Sequence, residues 1–205
     1  MRILGLDQSL TRCGWCLLTG SRAAPLFLTG SFKSATTRAF GQELVELEAV
    51  HCPEFIVWER PVPRIFVYGK RDLAGGAITP NADQLVLPRL AGMIEMFCLT
   101  RQLPYEEVPS NTWRARVLGK GYGNKGRKEA KAAALSYARQ LKIAVANEDE
   151  AEAALIALYG LSSDQYRMLE REPSYTVRFE KWNTDDGRAK TAPNTAKSGP
   201  QSSGK

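Results

Sequence analysis

Two short apolar runs, each ending on a carboxylate, constrain this chain more than any other feature. Residues 2–7 read Arg-Ile-Leu-Gly-Leu-Asp, and residues 55–59 read Phe-Ile-Val-Trp-Glu. Each has the length and composition of a buried strand. Between them Phe40, Leu44, Leu47 and Val50 recur with helical spacing, until Pro53 stops the helix. Strand, helix, strand predicts parallel pairing, which brings Asp7 and Glu59 out at the same edge of a sheet. Open α/β sheets collect their ligand sites along that carboxyl edge.

The rest of the chain fits around this pair. Residues 13–19 and 26–33 read as two further strands, with Gly20, Ser21 and Pro25 supplying the turn, so an antiparallel meander is expected. From about Ala82 to Gln102, the residues Leu87, Leu90, Met93, Ile94 and Phe97 recur with helical period, with Pro88 near the start. Residues 104–108 make a fifth strand. Residues 110–142 hold a short helix, a glycine-rich basic loop and an alanine-rich helix, and a last helix runs from about Glu148 to Leu161. The order β-β-β-α-β-α-β-α-α predicts an α/β architecture, a mixed sheet flanked by helices. Residues 1–163 are expected to form the domain proper and residues 164–184 a small appendage. Residues 185–205, rich in Gly, Ser, Thr, Pro, Ala and Lys without an aliphatic pattern, are expected to be a disordered tail.

A domain of this size buries a core without disulfides or structural metal. Cys13 and Cys16 stand as C-x-x-C, a spacing used by zinc and redox sites. No second pair follows, the single histidine His51 lies in another segment, and two residues three apart on a strand point to opposite faces. Small buried apolar residues is the better reading. No run is long enough to span a bilayer and no signal peptide is evident, so a cytoplasmic protein is expected. The net charge of +6 and pI near 9.2 favour a polyanionic partner.

Two more acids join Asp7 and Glu59. Asp149 and Glu152 are three apart at the start of the last helix and can share one face. Each acid has an ordinary alternative: a strand-end cap for Asp7, a pair with Arg60 for Glu59, and macrodipole partners for Asp149 and Glu152. Converging, the four would repel strongly without a cation. Divalent ions with oxygen ligands supply that compensation, and two of them about 4 Å apart hold the attacking and leaving oxygens of a phosphodiester in line. Such chemistry needs no histidine, cysteine or serine nucleophile.

At these residues the chain resembles a known family. Gly5-Leu6-Asp7-Gln8-Ser9-Leu10-Thr11-Arg12-Cys13-Gly14-Trp15 is similar to the first motif of RuvC-type Holliday junction resolvases, in which an aspartate ends the first strand. Ile56-Val57-Trp58-Glu59 resembles the second motif. Asn81-Ala82-Asp83 with Leu87 and Gly92 looks like the helix that follows, and Asp149-Glu150-Ala151-Glu152-Ala153 resembles the motif carrying the last metal ligands. The resemblance implies an RNase H-like fold with a mixed five-stranded sheet. It also implies a homodimer, Mg2+ (with Mn2+ as a substitute) held by Asp7, Glu59, Asp149 and Glu152, and paired cuts in branched DNA. Two departures stand out: Glu152 where the family usually has aspartate, and the long connection of residues 60–80. The chain looks more like the divergent phage-borne members than the cellular enzyme. The helix around residues 87–97 is either a dimer interface or core.

Residues 110–131 carry Arg114, Arg116, Lys120, Lys125, Arg127, Lys128 and Lys131 against the single acid Glu129. Gly119, Gly121, Gly123 and Gly126 let backbone approach phosphates, although the Walker pattern is absent. The family's DNA-contacting basic positions align with Arg114 and Lys128. In residues 60–80, Arg64, Lys70 and Arg71 surround Phe66 and Tyr68, a mixture that suits phosphate contact plus base stacking. A solvated basic face and ordinary packing of Phe66 are the alternatives.

Other classes fit less well. An actin-like ATPase or sugar kinase also opens with Asp-x-x-x-Thr and glycines, but needs two such domains and a second phosphate loop. A non-catalytic DNA-binding protein would not keep acids at all four positions. A flap or replication-fork nuclease of the same fold stays open beside the four-way resolvase.

Overall fold

The computed structural model describes residues 2–61 and 82–171. Five strands form one mixed sheet: β1 (Arg2–Asp7), β2 (Cys13–Gly20), β3 (Pro25–Phe32), β4 (Phe55–Arg60) and β5 (Tyr105–Pro109). Their order across the sheet is β3-β2-β1-β4-β5. The first three form the antiparallel meander, while β4 lies parallel to β1 and β5 parallel to β4. The helices are α1 (Thr37–His51), α2 (Ala82–Arg101), α3 (Ser110–Val117), α4 (Arg127–Gln140), α5 (Glu148–Ser162) and α6 (Asp164–Arg171).

Alternation along the central strands divides the core in two. Leu4, Leu6, Ile56 and Trp58 face α1 and α2, where they meet Phe40, Leu44, Leu90 and Ile94. Ile3, Phe55 and Val57 face the other way, against α3, α4, α5 and α6. The cysteines follow the same parity: Cys13 belongs to the first cluster and Cys16 to the second, and all four cysteines are free thiols. Tyr166 of α6 meets the ring of Phe55 edge-on at 5.5 Å. Helix α2 keeps Pro88 inside its span. It turns Leu90, Ala91, Ile94 and Cys98 inward, while Leu85, Leu87, Met96 and Leu99 stay exposed.

The helix α5 is buried along nearly its whole length and lies directly on β1 and β2. Two glycines permit this. A Cβ at Gly5 would collide with the backbone of Ala153 and Ala157, and one at Gly14 with the backbone of Asp149 and Glu150. Helix and sheet therefore meet backbone to backbone. Among the described residues, no helix is long and apolar enough to cross a membrane.

Candidate active site

The same alternation that buries Ile3 and Phe55 against α5 carries Asp7 and Glu59 to that face, at the end of each strand. The β1–β4 register pairs Ile3 with Phe55 and Leu6 with Trp58, so one further step sets Asp7 beside Glu59. Gln8 strengthens this join: its side-chain amide donates to the Glu59 carbonyl, tying the end of β1 to the end of β4. On the other side, Asp7 pairs with Gly14, against which the Asp149 backbone is pressed.

The start of α5 supplies the other two acids. Asn147 caps the helix by accepting from the N–H groups of Asp149 and Glu150, at 3.1 and 3.0 Å. Glu150 turns away from the cluster and is buried. It accepts from Ser31 Oγ at 2.9 Å, the Ala146 N–H at 2.8 Å and Asn147 Nδ2 at 2.8 Å. Asp149 and Glu152 turn the other way. With Asp7 they form a group whose carboxylate oxygens lie within 4.8 Å of one another. At about 4 Å and an effective dielectric of about 20, one pair of like charges costs about 4 kcal/mol. The group therefore needs cations.

The described residues provide three from their own side chains. The Lys131 ammonium, on α4, contacts Asp149 Oδ1, Glu152 Oε2 at 3.3 Å and Asp7 Oδ2 at 3.8 Å. Arg114, on α3, meets Glu152 Oε1 at 3.0 Å and Glu59 Oε2 at 3.5 Å. Arg12 reaches Asp149 Oδ2 at 4.0 Å. The buried indole of Trp113 also donates to Glu59 Oε2 at 2.8 Å. Compensation is incomplete at Asp7. Burial and the Glu152 carboxylate raise its carboxyl well above the ordinary value, with Lys131 pulling it back. Glu59 is raised as well, chiefly by burial, against the Trp113 hydrogen bond and the Arg114 guanidinium. Burial works against the charge on Lys131, but the hydrogen bond to Asp149 and the carboxylates of Asp7 and Glu152 outweigh it, and its ammonium is held above the usual range. An all-carboxylate donor set without histidine or thiolate suits a hard, oxygen-seeking cation.

The basic residues of 110–131 separate into two groups. Arg114 is largely enclosed, facing the carboxylates rather than an open surface. Lys120, Lys125, Arg127 and Lys128 are exposed along the glycine-rich loop and the start of α4, with Lys125 paired to Glu129 at 2.6 Å. Arg116 donates to the Ser162 carbonyl and lies over the Tyr159 ring. Glu59 does not pair with Arg60, which instead meets Glu107 at 3.0 Å. Arg64, Phe66, Tyr68, Lys70 and Arg71 lie outside the described residues.

Sequence reasoning missed Trp113, Arg12 and the particular place of Lys131. For Lys131 a signal existed: Ala130, Ala134 and Ala138 mark the buried stripe of α4, and Lys131 sits at its margin.

No family model matches the chain, and no curated protein sequence does either. Solved structures do match. The five-stranded α/β fold of this chain is similar to that of RuvC. RuvC of Thermus thermophilus is 17% identical, with 83% of this chain and 97% of that one aligned at a TM-score of 0.55. The T. thermophilus RuvC complex with a Holliday junction substrate gives 13% identity, 82% and 96% coverage and a TM-score of 0.56. The fowlpox virus resolvase with substrate Holliday junction DNA gives 8%, 79%, 97% and 0.53. At such identities the likeness is one of fold.

Proposed function

We propose that this chain is a divalent-metal-dependent endonuclease that cuts branched DNA, with the four-way junction as its substrate and a homodimer as its working form. The observation that carries the reading is the convergence of Asp7, Asp149 and Glu152 within 4.8 Å, with Glu59 beside them, at the carboxyl edge of a resolvase-type sheet. The two structural relatives solved with Holliday junction DNA support the choice of substrate.

In this reading Asp7, Glu59, Asp149 and Glu152 hold magnesium, with manganese as a substitute. When bound, the ion supplies an activated water and stabilises charge on the phosphoryl oxygens. Trp113 and Arg114 fix the direction of the Glu59 carboxylate, and Gln8 fixes the strand end that carries it. Lys120, Lys125, Arg127 and Lys128 offer the phosphate-contacting surface. Arg64, Phe66, Tyr68, Lys70 and Arg71 are proposed as further DNA contacts. The apolar residues that α2 leaves exposed, Leu85, Leu87, Met96 and Leu99, are the surface offered to a second copy.

The test is a cleavage assay with magnesium on four-way, three-way, flap and linear DNA, alongside sedimentation. Paired nicks in the four-way junction by a dimer are expected, and Asp7→Asn should abolish them while junction binding persists. Preferential cutting of flaps would make the protein a fork nuclease of the same fold. Full activity in Asp7→Asn would overturn the site.

A further inference from the structure

The place of Lys131 carries an inference of its own. Among the described residues, its ammonium is the one group that reaches all three of Asp7, Asp149 and Glu152, the carboxylates whose oxygens converge most closely. It comes from α4, a different element from any that carries the acids, and its side chain is mostly enclosed. An ammonium and a divalent ion compete for the same carboxylate oxygens, because both are bound by charge and neither leaves room for the other.

We infer that Lys131 is a displaceable internal cation: it holds the carboxylates together in the metal-free protein, and gives way when a divalent ion binds. This rests on the reading of the cluster as a metal site. A lysine suits the role better than an arginine, since its charge is a single point on a four-carbon stem that can pivot without breaking a bidentate pair. Arg114 shows the contrast: it spans Glu59 and Glu152 and lies over the Trp113 ring, a posture that fixes it in place. Lys131 makes no ring contact among the described residues and is held only by the carboxylates themselves. Lys128 stands one turn earlier on α4 and is exposed. An ammonium released from the carboxylates therefore moves toward the surface proposed for phosphates. Metal loading adds a positive charge to that surface at the moment DNA is to be bound.

The consequence is a lowered metal affinity, because the ion must displace a resident charge. Manganese binding to the full-length chain, followed by calorimetry, measures it. Lys131→Met should bind manganese about tenfold more tightly or better than the unaltered protein, and Lys131→Arg should stay close to it. Lys131→Met should also melt lower than the unaltered protein in EDTA and regain the difference in manganese. A second measurement needs no substitution. Acetylation of the unaltered protein, read residue by residue by mass spectrometry, should show Lys131 labelled several-fold faster with manganese than in EDTA, and Lys128 unchanged. Unchanged or weaker manganese affinity in Lys131→Met, or Lys131 labelling indifferent to manganese, overturns the inference and leaves Lys131 a structural tie between α4 and α5. Asp7→Asn separates the two readings. If it binds manganese as tightly as the unaltered protein, the metal site itself is wrong, and the role of Lys131 falls with it.

Discussion

The indole N–H of Trp113 donates to Oε2 of Glu59 across 2.8 Å, from a ring that is fully buried. The bond joins the first turn region of α3 to the end of β4, and the same carboxylate oxygen meets Arg114 at 3.5 Å. Groups that orient a ligand in this way commonly contribute 10- to 100-fold in metal affinity or activity. Trp113→Phe keeps most of the packing and removes the donor. Single-turnover cleavage of a four-way junction should slow by about 10- to 100-fold, while the melting temperature changes little.

Asp7 makes a prediction about stability. Its folded-state carboxyl titrates well above the ordinary value of about 3.9, because burial and Glu152 disfavour the charge. The stability linked to this group is complete below about pH 4 and is lost as pH rises through the raised value. An amide imitates the neutral form. In EDTA, Asp7→Asn should therefore melt a few degrees above the unaltered protein at pH 8, at roughly 2–4 °C per kcal/mol for a chain of this size. The difference should vanish near pH 4. A lower melting temperature for the variant at pH 8 would mean that Lys131 already compensates Asp7 fully.

Glu150 and Glu152 stand two residues apart and turn to different partners. Glu152→Gln should lose most cleavage and fold normally, whereas Glu152→Asp should cut. Glu150→Gln should cost about 1–3 kcal/mol of stability, since its carboxylate accepts from Ser31, Ala146 and Asn147 in a buried setting. Denaturant melts and cleavage rates on the three variants separate the two roles.

Lys128 and Arg114 should differ in the same manner. Lys128→Ala should flatten the log–log salt dependence of junction binding by about one unit. Arg114→Ala should leave that slope near its original value and reduce cleavage, because the guanidinium is engaged with Glu59 and Glu152. Filter binding at several salt concentrations gives both numbers.

The thiols offer a check on packing. Burial pushes Cys98 up to about 12 and raises Cys13 and Cys16 as well, and all three are buried. Cys52 is exposed. A thiol reagent at neutral pH should modify one cysteine of four rapidly in the native protein, and all four after unfolding. Two rapid thiols would place Cys13, Cys16 or Cys98 nearer the surface than the packing described above.

What could be read from the chain alone was whatever depends on period and order. The apolar runs of residues 2–7 and 55–59 and the intervening helix were enough to pair β1 with β4 and align Asp7 with Glu59. Asp149 and Glu152 could be put on one helical face by their spacing. The cationic partners were harder, because they depend on how helices dock. Arg114 and Lys131 sit in one basic run with Lys128, and only the packing of α3 and α4 turns the first two inward. Trp113 carries no mark of its role in the sequence, since a buried tryptophan is ordinary core until its N–H is seen to meet a carboxylate.

The contact of α5 with β1 and β2 through Gly5 and Gly14 bears on how such a site drifts over time. The span from Asp7 to Asp149 is recorded in two residues that have no side chains and take no part in chemistry. A methyl group at Gly14 would push the start of α5 outward and carry Asp149 and Glu152 with it, leaving every acidic residue in place and the cluster broken. An alanine at either glycine should therefore break up the cluster without touching a single carboxylate.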